Sequence, residues 1–163
     1  MISRWQTKAG IQGGLMAGAA VLVLFFLFDL ARLQPLATPF SLSTQLMGPS
    51  GPILDMPVIS QVLGLAVFAG NLLSLTILHF LAFSLLGVGA IWGCENCRIP
   101  LNIATGAMLG VTVGTGAYYA CMAMFGDHVL TGSPGVPGVL AANLVAGGLL
   151  GSFYQLRHAG SRW

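Results

Sequence analysis

The sequence predicts an all-α integral membrane protein, a bundle of four transmembrane helices, and three observations carry that prediction. Of 163 residues, 56% are hydrophobic and only 6% are charged. A soluble domain carries about 25% charged residues, so this chain could not dress a water-facing surface. The mean hydropathy is correspondingly high, +0.87. Four apolar segments reach the roughly 20 residues that a helix needs to cross a hydrocarbon core: Ala9 to Leu30, Gly70 to Gly93, Leu101 to Phe125 and Val136 to Leu156. Residues 1–163 then form one transmembrane domain. The formal net charge of +2 is too small for binding a phosphate backbone, which removes nucleic acid as a partner.

The first segment follows Arg4 and Lys8, and its run from Leu15 to Phe28 imitates a signal peptide. That run is long for such a peptide and ends in Asp29-Leu30-Ala31-Arg32 rather than at a small-residue cleavage site, so the expectation is a retained helix. Between the first and second segments lies a link over 31–69. Its early part holds Pro35, Pro39, Pro49, Pro52 and Pro57 and cannot continue a helix. Its later part, Val58 to Ala69, is apolar but too short to span. An interfacial helix, a re-entrant piece and an N-terminal extension of the second helix all fit it.

Cations set the orientation. Arg4, Lys8, Arg98, Arg157 and Arg162 fall on one side of a four-helix arrangement and Arg32 on the other. The positive-inside rule places the five in the cytoplasm with both termini, in a bacterial inner membrane.

Glycines recur one helical turn apart: Gly10, Gly14 and Gly18 in the first helix, Gly106, Gly110 and Gly114 in the third, Gly147 and Gly151 in the fourth. Small residues at this spacing let a second backbone approach closely, which matters in lipid because apolar burial gives helices no reason to associate. Packing within one bundle accounts for them more simply than an assembly face for other subunits. The glycine-rich first and third helices, each ending near an Asp (Asp29, Asp127), hint at a duplicated hairpin.

His79 counts to about 13 Å into a core of about 30 Å. An ionisable residue at that depth faces the bundle interior and needs a partner; Asn143, Tyr118 and Tyr119 lie at comparable depth. A proton relay, haem ligand or ion site is the sharp reading. A neutral histidine bonded to a neighbouring helix is the simpler one, because the segments hold no second mid-membrane histidine or carboxylate. At the outer rim, Asp29 and Arg32 share a helical face and can pair, with Asp127 and His128 on the same side.

Cys94 and Cys97 offer two thiolates, half of a zinc site or a dithiol couple, with no second ligand pair nearby in sequence. They read as loop cysteines. Cys121, Met122 and Met124 could suit Cu(I), but methionine is more simply core filler. No metal and no cofactor is expected. The sequence contains no Walker loop, HExxH or GxSxG, so an enzyme is not expected either.

Asp29-Leu30 followed by Gln34-Pro-Leu-Ala-Thr-Pro39, and then Leu78-His-Phe-Leu-Ala-Phe-Ser-Leu-Leu-Gly87, resemble a group of small uncharacterised bacterial four-helix membrane proteins. These carry a "DL…PL.TP" loop and an "HF.AF.L.G" second helix. The resemblance covers the first half of the chain and the Asn143 region, and implies four helices and a bacterial membrane. It implies no activity, and the chain departs from the group over Val58 to Ala69 and at Cys94 and Cys97. Two functions remain: an accessory subunit of a larger membrane complex, meeting partners through glycine faces, or a small channel or transporter with a polar path near His79 and Asn143. Scarcity of polar groups along any such path favours the first.

Overall fold

The computed structural model describes residues 2–39, 41, 42, 58–125 and 135–160. Within them, regular structure is helical throughout. Lipid offers no hydrogen bonds to a backbone, so a chain this apolar must satisfy its N–H and C=O groups internally.

Helix α1 (Arg4–Ala31) starts at a capping box: the Ser3 hydroxyl accepts from the Gln6 N–H, and the Gln6 side chain accepts from the Ser3 N–H. It ends where Leu33 takes a left-handed φ of 56°. Helix α2 (Val58–Asn96) runs unbroken for 39 residues, so the apolar stretch 58–69 is the N-terminal extension of the second helix. At 1.5 Å per residue α2 is about 58 Å long, nearly twice the hydrocarbon thickness. Arg98 at φ 56° and then Pro100 stop it. Asn102 and Thr105 immediately cap the next helix, making a tight reversal.

The third segment differs from a plain spanning helix. Helix α3 (Ile103–Leu109) passes into a π-helical stretch (Gly110–Gly114) and then into α4 (Thr115–Phe125). The stretch reads Gly-Val-Thr-Val-Gly, and β-branched residues between glycines hold α-geometry weakly. The Thr112 hydroxyl also bonds back to the Met108 carbonyl at 2.8 Å, competing with the local ladder. The final helix is α5 (Gly135–Gly160). Three helices, Arg4–Ala31, Val62–Asn96 and Gly135–His158, are long and apolar enough to cross a membrane.

Helices α1 and α5 form the middle of the molecule; α2 packs on α1, and α3 with the π stretch packs on α5. Among the described residues, direct contact of α2 with α3 or α5 is slight at most. One core cluster joins Ala17, Val21 and Phe25 of α1 to Val139, Ala142 and Ala146 of α5. A second joins Ala9, Ile91, Cys94 and Leu101 at the end where α2 turns into α3.

Glycine makes both outer contacts. A Cβ at Gly14 would overlap the Phe83 carbonyl, and one at Gly87 the Gly10 carbonyl, so α1 and α2 touch backbone to backbone. Between α3 and α5 the same holds: Gly106 meets the Gly147 carbonyl, Gly110 the Asn143 carbonyl and Gly151 the Asn102 carbonyl. Such approaches maximise dispersion contacts and bring Cα–H groups to carbonyls, the attractions available in lipid. Gly18 sits more loosely, against Phe80 and Phe83, and Gly114 faces the Asn143 side chain, whose oxygen a Cβ would overlap.

Candidate functional site

His79 reaches from α2 to α1. Its Nε2–H donates to the Gly18 carbonyl oxygen at 3.0 Å, and its ring lies against Phe83 (centroids 4.7 Å apart) and Phe80 (5.6 Å). The expected inter-helix bond is present, but its acceptor is a backbone carbonyl, not Asn143 or a tyrosine. Because a carbonyl only accepts, the bond fixes the ring as the Nε2–H tautomer.

The polar residues grouped with His79 by depth are placed elsewhere. Asn143, 4% exposed, donates from Nδ2 to the Val139 carbonyl at 3.0 Å within its own helix, and its side chain lies against Gly114. Tyr118 and Tyr119 pack edge to face, centroids 5.2 Å apart, against the α1–α5 core. Among the described residues no hydrogen bond links these three to His79. The polar path drawn from depth therefore divides into separate helix contacts.

Asp29 is not the exposed rim residue that its position at the end of α1 implies. It is 0% exposed, and its two carboxylate oxygens accept from the Thr38 N–H and the Thr38 hydroxyl, both at 2.7 Å. Thr38 is 1% exposed and lies in a helical turn over 37–39, which the carboxylate caps at its positive end. Thus Asp29 and Thr38 of the "DL…PL.TP" pattern are bonded to each other, and Leu36 between them takes φ 71° to close the loop. Arg32 caps the end of α1 through its backbone N–H. Asp127 and His128 lie outside the described residues.

A polar assembly around Glu95 was not anticipated from the sequence. Glu95, at the end of α2, accepts from the Gln6 side-chain amide and from the Tyr154 hydroxyl (2.9 Å), and His158 Nε2 stands 3.7 Å from its carboxylate. Trp5 covers the group, its ring 4.9 Å from His158 and 5.9 Å from Tyr154. The ends of α1, α2 and α5 are tied here through one carboxylate. Positions 6, 95, 154 and 158 share no local spacing.

Cys94 is buried and Cys97 and Cys121 are exposed, all as free thiols. Among the described residues no three His, Cys, Asp or Glu side chains group as a metal would require. Cys94 and Cys97 instead line a cavity of about 410 Å³, open at the side, between α2 and the α3–π segment. Its floor is the small residues of α1 and α5, Gly14, Ala17, Ala146 and Gly147. Among the described residues of its wall, Asn143 is the only side chain besides the two thiols that bears a heteroatom. Chemically it can exclude water and hold hydrocarbon. Comparison with protein families, curated proteins and solved structures yields no match to this chain.

Proposed function

We propose that the protein is a non-catalytic accessory subunit of a larger membrane complex. In this reading it sits in a bacterial inner membrane with both termini in the cytoplasm, and residues 103–125 make a fourth crossing beside the three long helices. The kinship with small four-helix bacterial membrane proteins belongs to the same proposal. The observation that carries the reading is the first half of α2. Val62 and Leu63 are each 61% exposed and Leu65 and Val67 more than half exposed, on a helix about 58 Å long. A helix of that length outruns the roughly 30 Å that a hydrocarbon core covers, and the apolar surface left over is what a neighbouring membrane subunit would cover. A solute path, by contrast, needs converging polar groups, and here His79, Asn143 and the two tyrosines are held in separate contacts.

Purification in mild detergent from the native host tests the reading. Stoichiometric partner subunits should accompany the chain, and removing residues 58–69 should release them while the remaining helices stay folded. Recovery of a lone homo-oligomer that passes ions or small solutes in vesicles would replace it with the channel reading.

A further inference from the structure

We infer that the side-open cavity between α2 and α3 is a binding site for one acyl chain of an anionic phospholipid, with the headgroup held at Arg98. The cavity lies along the last turns of α2 and the first turns of the third segment, beside the reversal that carries Cys97, Arg98 and Ile99. Two features identify its occupant. The first is size and lining. At about 410 Å³ the space falls in the range of small-ligand sites, about 300–1,000 Å³. A flexible hydrocarbon chain can follow a narrow, carbon-lined space of this size. Gly89 and Gly93 open it: a Cβ on either would meet no atom within 4 Å, unlike the glycines packed against a backbone.

The second feature is charge. Cys97 and Ile99 both line the cavity, and Arg98 between them is exposed, with a left-handed backbone. The neighbouring carboxylate, Glu95, is already engaged by Gln6, Tyr154 and His158. A guanidinium at the membrane edge takes a phosphate through paired N–H donors, and anionic lipids concentrate basic residues at the cytoplasmic leaflet. Chain and headgroup are thus recognised by adjacent parts of one turn.

Native mass spectrometry of the full chain, released from vesicles of phosphatidylcholine containing about one fifth phosphatidylglycerol, tests this. The wild type should retain one phosphatidylglycerol, enriched about tenfold over its share of the vesicle. Gly89→Phe combined with Gly93→Leu, at two positions where a Cβ meets no atom within 4 Å, puts bulk into the space and should lose the bound lipid while keeping the melting temperature. Arg98→Gln should keep a bound lipid but lose the preference for phosphatidylglycerol. Retention of lipid by the filled variant, an unchanged headgroup preference in Arg98→Gln, or a second copy of the chain in place of lipid would each overturn the proposal. None of these results depends on whether partner subunits co-purify.

Discussion

At the scale of single residues, the polar groups inside this apolar chain serve as local ties. Asp29 takes two hydrogen bonds from Thr38 in a site closed to solvent. Removing the acceptor orphans two buried donors, each at about 1–3 kcal/mol. Asp29→Ala should therefore destabilise by about 2 kcal/mol or more in detergent melting, whereas Thr38→Ser, which keeps both donors, should cost under about 1 kcal/mol; equal losses would remove the carboxylate from its structural role. His79 predicts a gentler outcome. The Gly18 carbonyl lies within a helix and has a second donor in its own ladder, so His79→Leu should cost only about 0.5–1.5 kcal/mol, and His79→Gln less. A loss of several kcal/mol from His79→Leu, measured the same way, would mean that the ring has a further partner. The depth of His79 made an inter-helix bond legible in the sequence; its acceptor was not, because a backbone carbonyl has no letter of its own. Glu95 was hidden for another reason: three residues spread from 6 to 158 converge on it, and no local pattern reports convergence.

Helices were readable as elements because lipid allows a chain little else, but their interruptions were not. The glycine spacing over 106–114 marks a packing face whether the backbone is α or π, so nothing in it signals the π stretch at Gly110–Gly114. Likewise 58–69 was too short to be placed by length, and its fusion with the second helix depends on Ala69 and Gly70 continuing the helix rather than breaking it. The contact faces themselves separate glycines into two kinds. Gly110→Ala would drive a methyl group into the Asn143 carbonyl and should cost about 1–3 kcal/mol. Gly116→Ala meets nothing within 4 Å and should be neutral or stabilise by up to about 1 kcal/mol through helix propensity. Paired thermal melts decide this, and similar destabilisation by both would remove the case for a backbone contact at Gly110.

For the whole molecule, orientation is the first thing to test. Cys97 is exposed in the α2–α3 reversal and Cys94 is buried. In a Cys121→Ser background, a membrane-impermeant maleimide should label Cys97 in inverted vesicles and leave it untouched in spheroplasts; the opposite pattern would invert the topology. The order of packing, α2 on α1, α1 on α5, α5 on α3, could not be read from apolar segments, which carry length but not neighbour. It divides the chain into two hairpins, each closed by glycine contacts, joined through the face between α1 and α5. That face joins Val21 and Phe25 to Val139 and Ala142, residues from opposite ends of the chain. On a ribosome α1 emerges before α5, so the central core must wait until α5 has been made. The first hairpin meanwhile can insert and zip by itself, as membrane helices do before they associate. Two genes encoding residues 1–98 and 99–163, expressed together, should then assemble a protein that melts nearly as one chain does, because the cut falls between units that mature separately.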